Sequence, residues 1–317
     1  MDTEPQSLEN RSHYRLRPLP AQPPGVAPAR HEQLAELAEI NTDDIVASLG
    51  LEHVRRGRTL LRKLCHGPAS RLARQVLAFD SLVSAAGLQT GGAWMLGQFV
   101  RSFVVEGQRC LPPDGPLLIV SNHPGLYDTL ALFSAINRSD VQIIAADRPF
   151  LRALPATMRH LITIDERAAS VAARMGVVRA ATRHMRAGGA LLTFPGGRIE
   201  PDPAVLPGAI DALRAWSDSL ELFIRLVPGV TVVPVVVSGV LSPVALRHPL
   251  TRLRREKDKQ EWLAAMLQVV FPSLQSGTVR VAFGQPLRWP ADAPLDSQAR
   301  ARQVIAETRR VMEHCVR

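Results

Sequence analysis

Two side chains five residues apart, His123 and Asp128, have the chemistry of a general base and the carboxylate that orients it. Such a carboxylate accepts one ring N–H, fixes the tautomer and leaves the other ring nitrogen free to take a proton. It also stabilises the imidazolium that forms once the base has acted. The chain has no G-x-S-x-G elbow to present a serine nucleophile, so this base would act directly on an acceptor hydroxyl. On spacing alone the pair reads equally well as a helix N-terminal charge and a surface histidine. Cys65, Cys110 and Cys315 lie far apart with no CxxC spacing, which argues against a zinc site or a disulfide framework and for a reducing compartment. No metal ligand set is predicted.

The surrounding segments must position the pair. Leu117 to Val120 reads as a short apolar strand that delivers His123 to a Pro124-Gly125 turn, and Leu126 to Ile136 as a helix with Asp128 in or near its first turn. Catalytic groups commonly sit at such strand ends in α/β sheets. Further strands are expected at Val141–Ala145, Ile162–Ile164, Ala190–Phe194, Thr231–Val237 and around Val279–Phe283. Helices are expected at Ala168–Arg186, Ala209–Leu226, Glu261–Val270 and Gln298–His314. Strands spaced by helices predict an α/β fold, a mixed and mostly buried sheet flanked by helices.

Before Phe103 the pattern differs. Met1–Arg30 is polar and proline-rich and is expected to be a disordered leader without a signal peptide. Residues 31–100 read as an N-terminal helical extension, with a helix over His31–Ile40, Thr42 as the N-cap of the next, and Trp94 in a core or interface. Leu72, Val76, Phe79 and Val83 recur at helical spacing, and arginines cluster between Arg55 and Arg74. Basic amphipathic helices of this kind either lie on anionic membranes or dock on a protein core with their arginines solvated. No run reaches the roughly 18 apolar residues that a membrane span needs.

The segment Asn122-His123-Pro124-Gly125-Leu126-Tyr127-Asp128 resembles the N-H-x4-D motif of the glycerolipid acyltransferases, the family that includes the lysophosphatidic acid acyltransferases. Three further stretches match in order. Phe150–Pro155 with Ile162–Arg167 is similar to that family's second block, Phe194-Pro195-Gly196-Gly197-Arg198 to its F-P-E-G-T-R block, and Val233–Val237 to its closing V-P-V strand. The resemblance covers roughly residues 102–286 and implies an acyltransferase domain over 101–317, with the fold of the glycerol-phosphate acyltransferases. It implies an acyl-CoA or acyl-ACP donor as co-substrate, a lysophospholipid or glycerol-phosphate acceptor, and neither metal nor other cofactor. It also implies roles: His123 as base, Asp128 as its orienter, and Asn122, Arg167, Gly196, Gly197 and Arg198 in substrate binding, with Arg148 and Arg152 as weaker candidates. One departure stands out. Gly196 occupies the position of the block's glutamate, and Glu200 is displaced along the chain. The Gly196-Gly197 amides are expected to form an anion nest in its place.

The net charge of +9 favours anionic partners. Nucleic acid is disfavoured, because no recognition motif is present and aromatics make up only 5% of the chain. The expected partners are lipid substrates and an anionic membrane surface, with a cytoplasmic, peripheral location on the membrane's inner face. The altered third block keeps a second reading open, a non-catalytic lipid-binding protein on the same scaffold.

Overall fold

A computed structural model describes residues 11–15, 31–51, 58–165, 170–290 and 296–316. The described strands, in chain order, are β1 (Arg11–Arg15), β2 (Ser102–Glu106), β3 (Leu117–Ser121), β4 (Val141–Ala146), β5 (Leu161–Ile164), β6 (Ala190–Thr193), β7 (Thr231–Ser238) and β8 (Thr278–Phe283). They form one sheet in the order β1-β2-β8-β7-β3-β6-β4-β5. The β1–β2 and β7–β8 pairs are antiparallel and the other neighbours parallel. The helices are α1 (His31–Ser48), α2 (Arg58–Phe99), α3 (Asp128–Ala135), α4 (Pro149–Arg152), α5 (Pro155–Met158), α6 (Val171–Arg186), α7 (Ala209–Ala212), α8 (Ser217–Leu226), α9 (Pro243–Leu246), α10 (Lys257–Val270) and α11 (Ser297–Val316). The fold is therefore α/β, a mixed sheet flanked by helices, with a helical region ahead of it.

Every residue of β3 and of β7 is buried, as expected of strands covered on both faces. Side-chain alternation splits them between two cores. Leu117, Ile119, Val233 and Val235 pack with Trp94, Phe99 and Leu132 of α2 and α3. Leu118, Val120, Val232 and Val236 pack with Met185, Trp216, Phe223 and Val304 beneath α6, α8 and α11. Burying each such side chain contributes about 1.5–3 kcal/mol. β3 is thus clamped from both sides, and the loop at its C-terminal end starts from a fixed point.

The structure corrects three expectations and decides a fourth. The leader is not wholly irregular: Arg11–Arg15 pairs with β2, covering what would be an open sheet edge, and Arg11 reaches the buried Glu106 carboxylate at 3.1 Å. The remainder of 1–30 lies outside the described residues. Thr42 does not cap a new helix. Its hydroxyl donates to the Ala38 carbonyl at 2.6 Å, and α1 runs through it. The helix expected over Ala209–Leu226 is broken by a 3-10 turn at Leu213–Ala215, which leads into the fully buried Trp216. Of the two readings of the 72–83 stretch, the docked one fits: Val76, Phe79 and Val83 belong to the protein core, with Leu72 packed against it.

α2 is two helices joined at Gly87, whose φ of 84° and ψ of 170° break the spiral. Glycine reaches that region without the Cβ clash other residues meet. The two halves fold back on each other, so that Gln75 and Gln98 hydrogen-bond at 3.3 Å. Asp80 on the first half accepts from the Thr157 N–H and hydroxyl, both at 2.7 Å, and ties the hairpin to α5. Among the described residues no helix is long and apolar enough to cross a membrane.

Candidate active site

Three loops meet at the C-terminal ends of β3, β6 and β7. The first carries His123. Its Nδ1 lies 2.6 Å from Asp128 Oδ2, within the hydrogen-bond reach that the sequence reading requires. Asp128 is wholly buried, whereas the His123 side chain is 30% exposed. Asp128 Oδ2 also accepts the Gly125 N–H at 3.0 Å, and Oδ1 accepts from the Thr129 N–H and hydroxyl. An ionised carboxylate only accepts, so the ring proton sits on Nδ1 and Nε2 is the basic nitrogen. Tyr127 is buried beneath the motif and stacks on Phe99 at 5.0 Å, holding the start of α3 against α2.

The electrostatics suit a base. Burial disfavours the charged ring. The Asp128 carboxylate, through its charge and hydrogen bond, and the charge of Glu200 outweigh that effect, so the His123 pKa is raised above its ordinary 6.5. The group is therefore tuned to hold a proton once it has taken one.

The second loop follows β6. Phe194 stacks on the His123 ring, with centroids 4.6 Å apart. Pro195-Gly196-Gly197 turns tightly, and the Gly197 N–H donates to the Phe194 carbonyl at 3.0 Å. That corrects the expected nest in part, because the turn itself uses the Gly197 amide. Gly197 has φ 63°, the left-handed geometry this turn needs. Arg198 is exposed on the same loop. Glu200 returns to His123: its N–H donates to the His123 carbonyl at 2.8 Å, and its Oε2 accepts the His123 N–H at 3.2 Å. Its Oε1 accepts Trp216 Nε1–H at 2.7 Å. Burial raises the Glu200 pKa, and the hydrogen bonds from Trp216 and His123, with the charges of His123 and Arg198, pull against it.

Asn122, expected in substrate binding, is buried and its amide extends the sheet ladder instead. Nδ2 donates to the Val237 carbonyl at 2.9 Å and Oδ1 accepts the Val237 N–H at 2.8 Å. Arg152 is also taken up, in a two-point ion pair with Asp147 at 2.7 and 2.6 Å. Arg148 is exposed at the start of α4, where its charge acts on Asp44 of α1. Arg167 lies outside the described residues. Among the described residues no group of three or more His, Cys, Asp or Glu side chains could hold a metal ion.

Glu200, Trp216 and Phe194 are the site residues that sequence reasoning did not assign. Phe194 opens the third block and was placed by it. In the sequence Glu200 reads only as a glutamate displaced from that block, and no signal there pairs Trp216 with it.

Comparison with known proteins adds two findings. Residues 102–238, which contain every residue of this site, match the family model described as Acyltransferase. The chain is also similar to the crystal structure of the 1-acyl-sn-glycerophosphate (LPA) acyltransferase PlsC from Thermotoga maritima, at 17% identity and a TM-score of 0.45, over 90% of this chain and 95% of that one. No curated protein sequence matches the chain.

Proposed function

We propose that this chain moves a fatty acyl group from a thioester donor, acyl-CoA or acyl-ACP, to the hydroxyl of a lysophospholipid or glycerol-phosphate-type acceptor, a reading supported by the match of residues 102–238 to the acyltransferase family model. The observation that carries the reading is the buried Asp128 carboxylate 2.6 Å from Nδ1 of a partly exposed histidine. His123 Nε2 takes the proton of the acceptor hydroxyl as its oxygen attacks the thioester carbonyl. The tetrahedral intermediate collapses by breaking the C–S bond, the imidazolium returns its proton to the departing thiolate, and an ester and a free thiol leave. Asp128 stabilises the imidazolium between these steps. The exposed Arg198 supplies a planar cation to the acceptor's phosphate.

Lipid substrates bring the protein to a membrane. Leu60 and Leu64 lie one turn apart near the start of α2, 63% and 68% exposed, with Lys63 between them. Apolar side chains beside a cation suit an anionic bilayer surface. The other exposed leucines include Leu253, at 54%.

The test is release of free thiol from long-chain acyl-CoA, and then from acyl-ACP, with a panel of lysolipid acceptors. Wild type and His123→Ala are compared side by side. Acceptor-dependent release that disappears in the variant is the expected result. Release that survives His123→Ala would overturn the role of the histidine. Folded wild type that binds vesicles yet releases no thiol with any acceptor would favour the non-catalytic reading.

A further inference from the structure

We propose that Glu200 is a positioning residue for the His123 base, and that its carboxylate takes the space left by the glutamate missing from the third block. This inference rests on the acyl-transfer reading of the site and deepens it. Three observations carry it. The first is the pairing. Glu200 satisfies both polar backbone groups of His123, its N–H with the carbonyl and its carboxylate with the N–H. These bonds tie the end of β3 to the loop after β6, 77 residues away along the chain.

The second observation is Gly196. It is not among the glycines with positive φ, so its backbone is open to any residue. A Cβ built there would lie 2.1 Å from Glu200 Oε1 and 3.0 Å from its carboxyl carbon. A side chain at 196 would therefore displace the neighbouring carboxylate, whereas the turn itself makes no demand for glycine there. Where the related motif carries glutamate this chain has Gly196, and the carboxylate of a glutamate four residues along the chain lies against it.

The third observation is the support. Glu200 is 5% exposed, and its second oxygen is held by the indole N–H of Trp216, which is fully buried. The 3-10 turn that breaks the expected helix at Leu213–Ala215 delivers that indole. The charged groups acting on His123 are Asp128 and Glu200, and Arg198 acts in turn on Glu200. Losing the Glu200 charge thus removes one of the influences that hold the imidazolium, while the Asp128 pair stays intact.

The experiment has two readouts, one of which needs no turnover. Protein labelled at histidine nitrogen is titrated by NMR, with the His123 signals assigned by their absence in His123→Ala. Acceptor-dependent thiol release is measured across pH on the same samples. Glu200→Gln should move the His123 midpoint to lower pH and carry the rising limb of the rate profile with it. It should lower kcat on the order of tenfold or more, as a displaced catalytic group does, while the acceptor KM changes little. Gly196→Ala leaves Glu200 in the chain but pushes its carboxylate away, so it should show the same pair of effects. Placed in a Glu200→Ala background, Gly196→Ala should add little further loss, since the collision is gone. A midpoint and a kcat equal to wild type in folded Glu200→Gln would overturn the proposal, as would equal losses from Gly196→Ala with and without Glu200. If wild type shows no turnover with any donor, the acyl-transfer reading fails separately. The titration then decides alone: a midpoint that moves with Glu200 upholds the coupling, and one that does not sinks it.

Discussion

Asp128→Asn is the sharpest perturbation, because it keeps the size of the side chain and removes one acceptor and the charge. In the native site Oδ2 accepts from His123 Nδ1 and the Gly125 N–H, and Oδ1 accepts from both donors of Thr129. An asparagine has one acceptor oxygen for these two pairs of donors. If the oxygen stays with Thr129, the new NH2 faces the ring, and only an imidazole bare at Nδ1 and protonated at Nε2 can accept it. That tautomer has no basic nitrogen facing substrate. If the amide flips, the ring keeps its tautomer, but an NH2 is pressed against the Thr129 N–H and the imidazolium loses its buried counter-charge. Losing a hydrogen bond to a charged group sets a lower bound of about 1.5–3 kcal/mol, or roughly ten- to a hundredfold in rate. The wrong tautomer sets an upper bound, on the order of 10⁴-fold by the known serine-protease case, about 5.4 kcal/mol. The pH dependence gives a second signature. Without Asp128, burial acts on the ring against Glu200 alone, so the limb that rises as His123 loses its proton should shift to lower pH. The assay is single-turnover acyl transfer from pH 5 to 9, with fold checked by circular dichroism. A folded Asp128→Asn protein within about threefold of wild type at every pH would refute the base–orienter reasoning.

Four further outcomes are expected. Arg198→Ala should raise the acceptor KM with kcat little changed, lowering kcat/KM by roughly ten- to a hundredfold as a charged hydrogen bond to phosphate is lost; an acceptor without phosphate should feel no change, and equal loss with both would sink the role. Leu60→Ser with Leu64→Ser should weaken flotation with anionic vesicles without moving the urea midpoint, since both side chains are exposed; undiminished flotation would remove this patch from the membrane contact. Gly92→Ala should destabilise by about 1–3 kcal/mol at constant m-value, because its Cβ would lie 2.6 Å from Phe133 Cβ at the crossing of α2 and α3; an unchanged urea midpoint would show that the helices separate freely. Folding stability should fall as pH rises: the raised His123 pKa means that the folded chain holds its proton more tightly, so this contribution is complete below the unfolded value near 6.5 and lost as pH passes the folded value. Urea unfolding of wild type and His123→Ala at pH 6 and pH 9 checks it, and identical pH slopes would contradict the shift.

The parts of this molecule legible in its sequence are those where neighbours in space are also neighbours in the chain. His123 and Asp128 are joined by one turn, so a strand, a Pro-Gly and a helix start were enough to place them. The β3 and β7 runs declared themselves by their density of apolar, largely β-branched residues, in β7 despite Pro234. Local signals failed where a group found a different backbone partner, nearby in the chain or across the fold. Thr42 resembles a cap, but its hydroxyl returns to the preceding turn. Asn122 sits in the motif beside the base, yet its amide continues the ladder on Val237. Arg11–Arg15 has weak strand character of its own and becomes a strand because β2 offers an unpaired edge.

Glu200 shows why the remainder was hidden. The sheet order places β6 beside β3, although β4 and β5 come between them in the chain, so the loop after β6 meets the loop after β3 by topology and not by spacing. Once there, the site is fixed through buried side chains that bind backbone rather than each other. Asn122 holds β7, and Asp202 accepts the N–H groups of Gly239 and Leu241 beyond it at 2.9 Å. Glu200 holds His123, and Asp128 holds Gly125. Asn122 and Asp202 join the loops after β3 and β6 to the end of β7, Glu200 joins the loop after β6 to the end of β3, and Asp128 braces the His123 turn from within; buried polar groups left without a partner cost about 1–3 kcal/mol each. The three loops are therefore coupled: shifting one breaks bonds on the next. A histidine that must abstract a proton from a lipid hydroxyl gains from that coupling, because its ring position is set by the sheet and not by the mobile substrate. It follows that Asp202→Ala, at a fully buried position outside the motif blocks, should loosen the β7 end and lower kcat of acyl transfer more than it changes the acceptor KM; an unchanged kcat in the folded variant would refute the coupling.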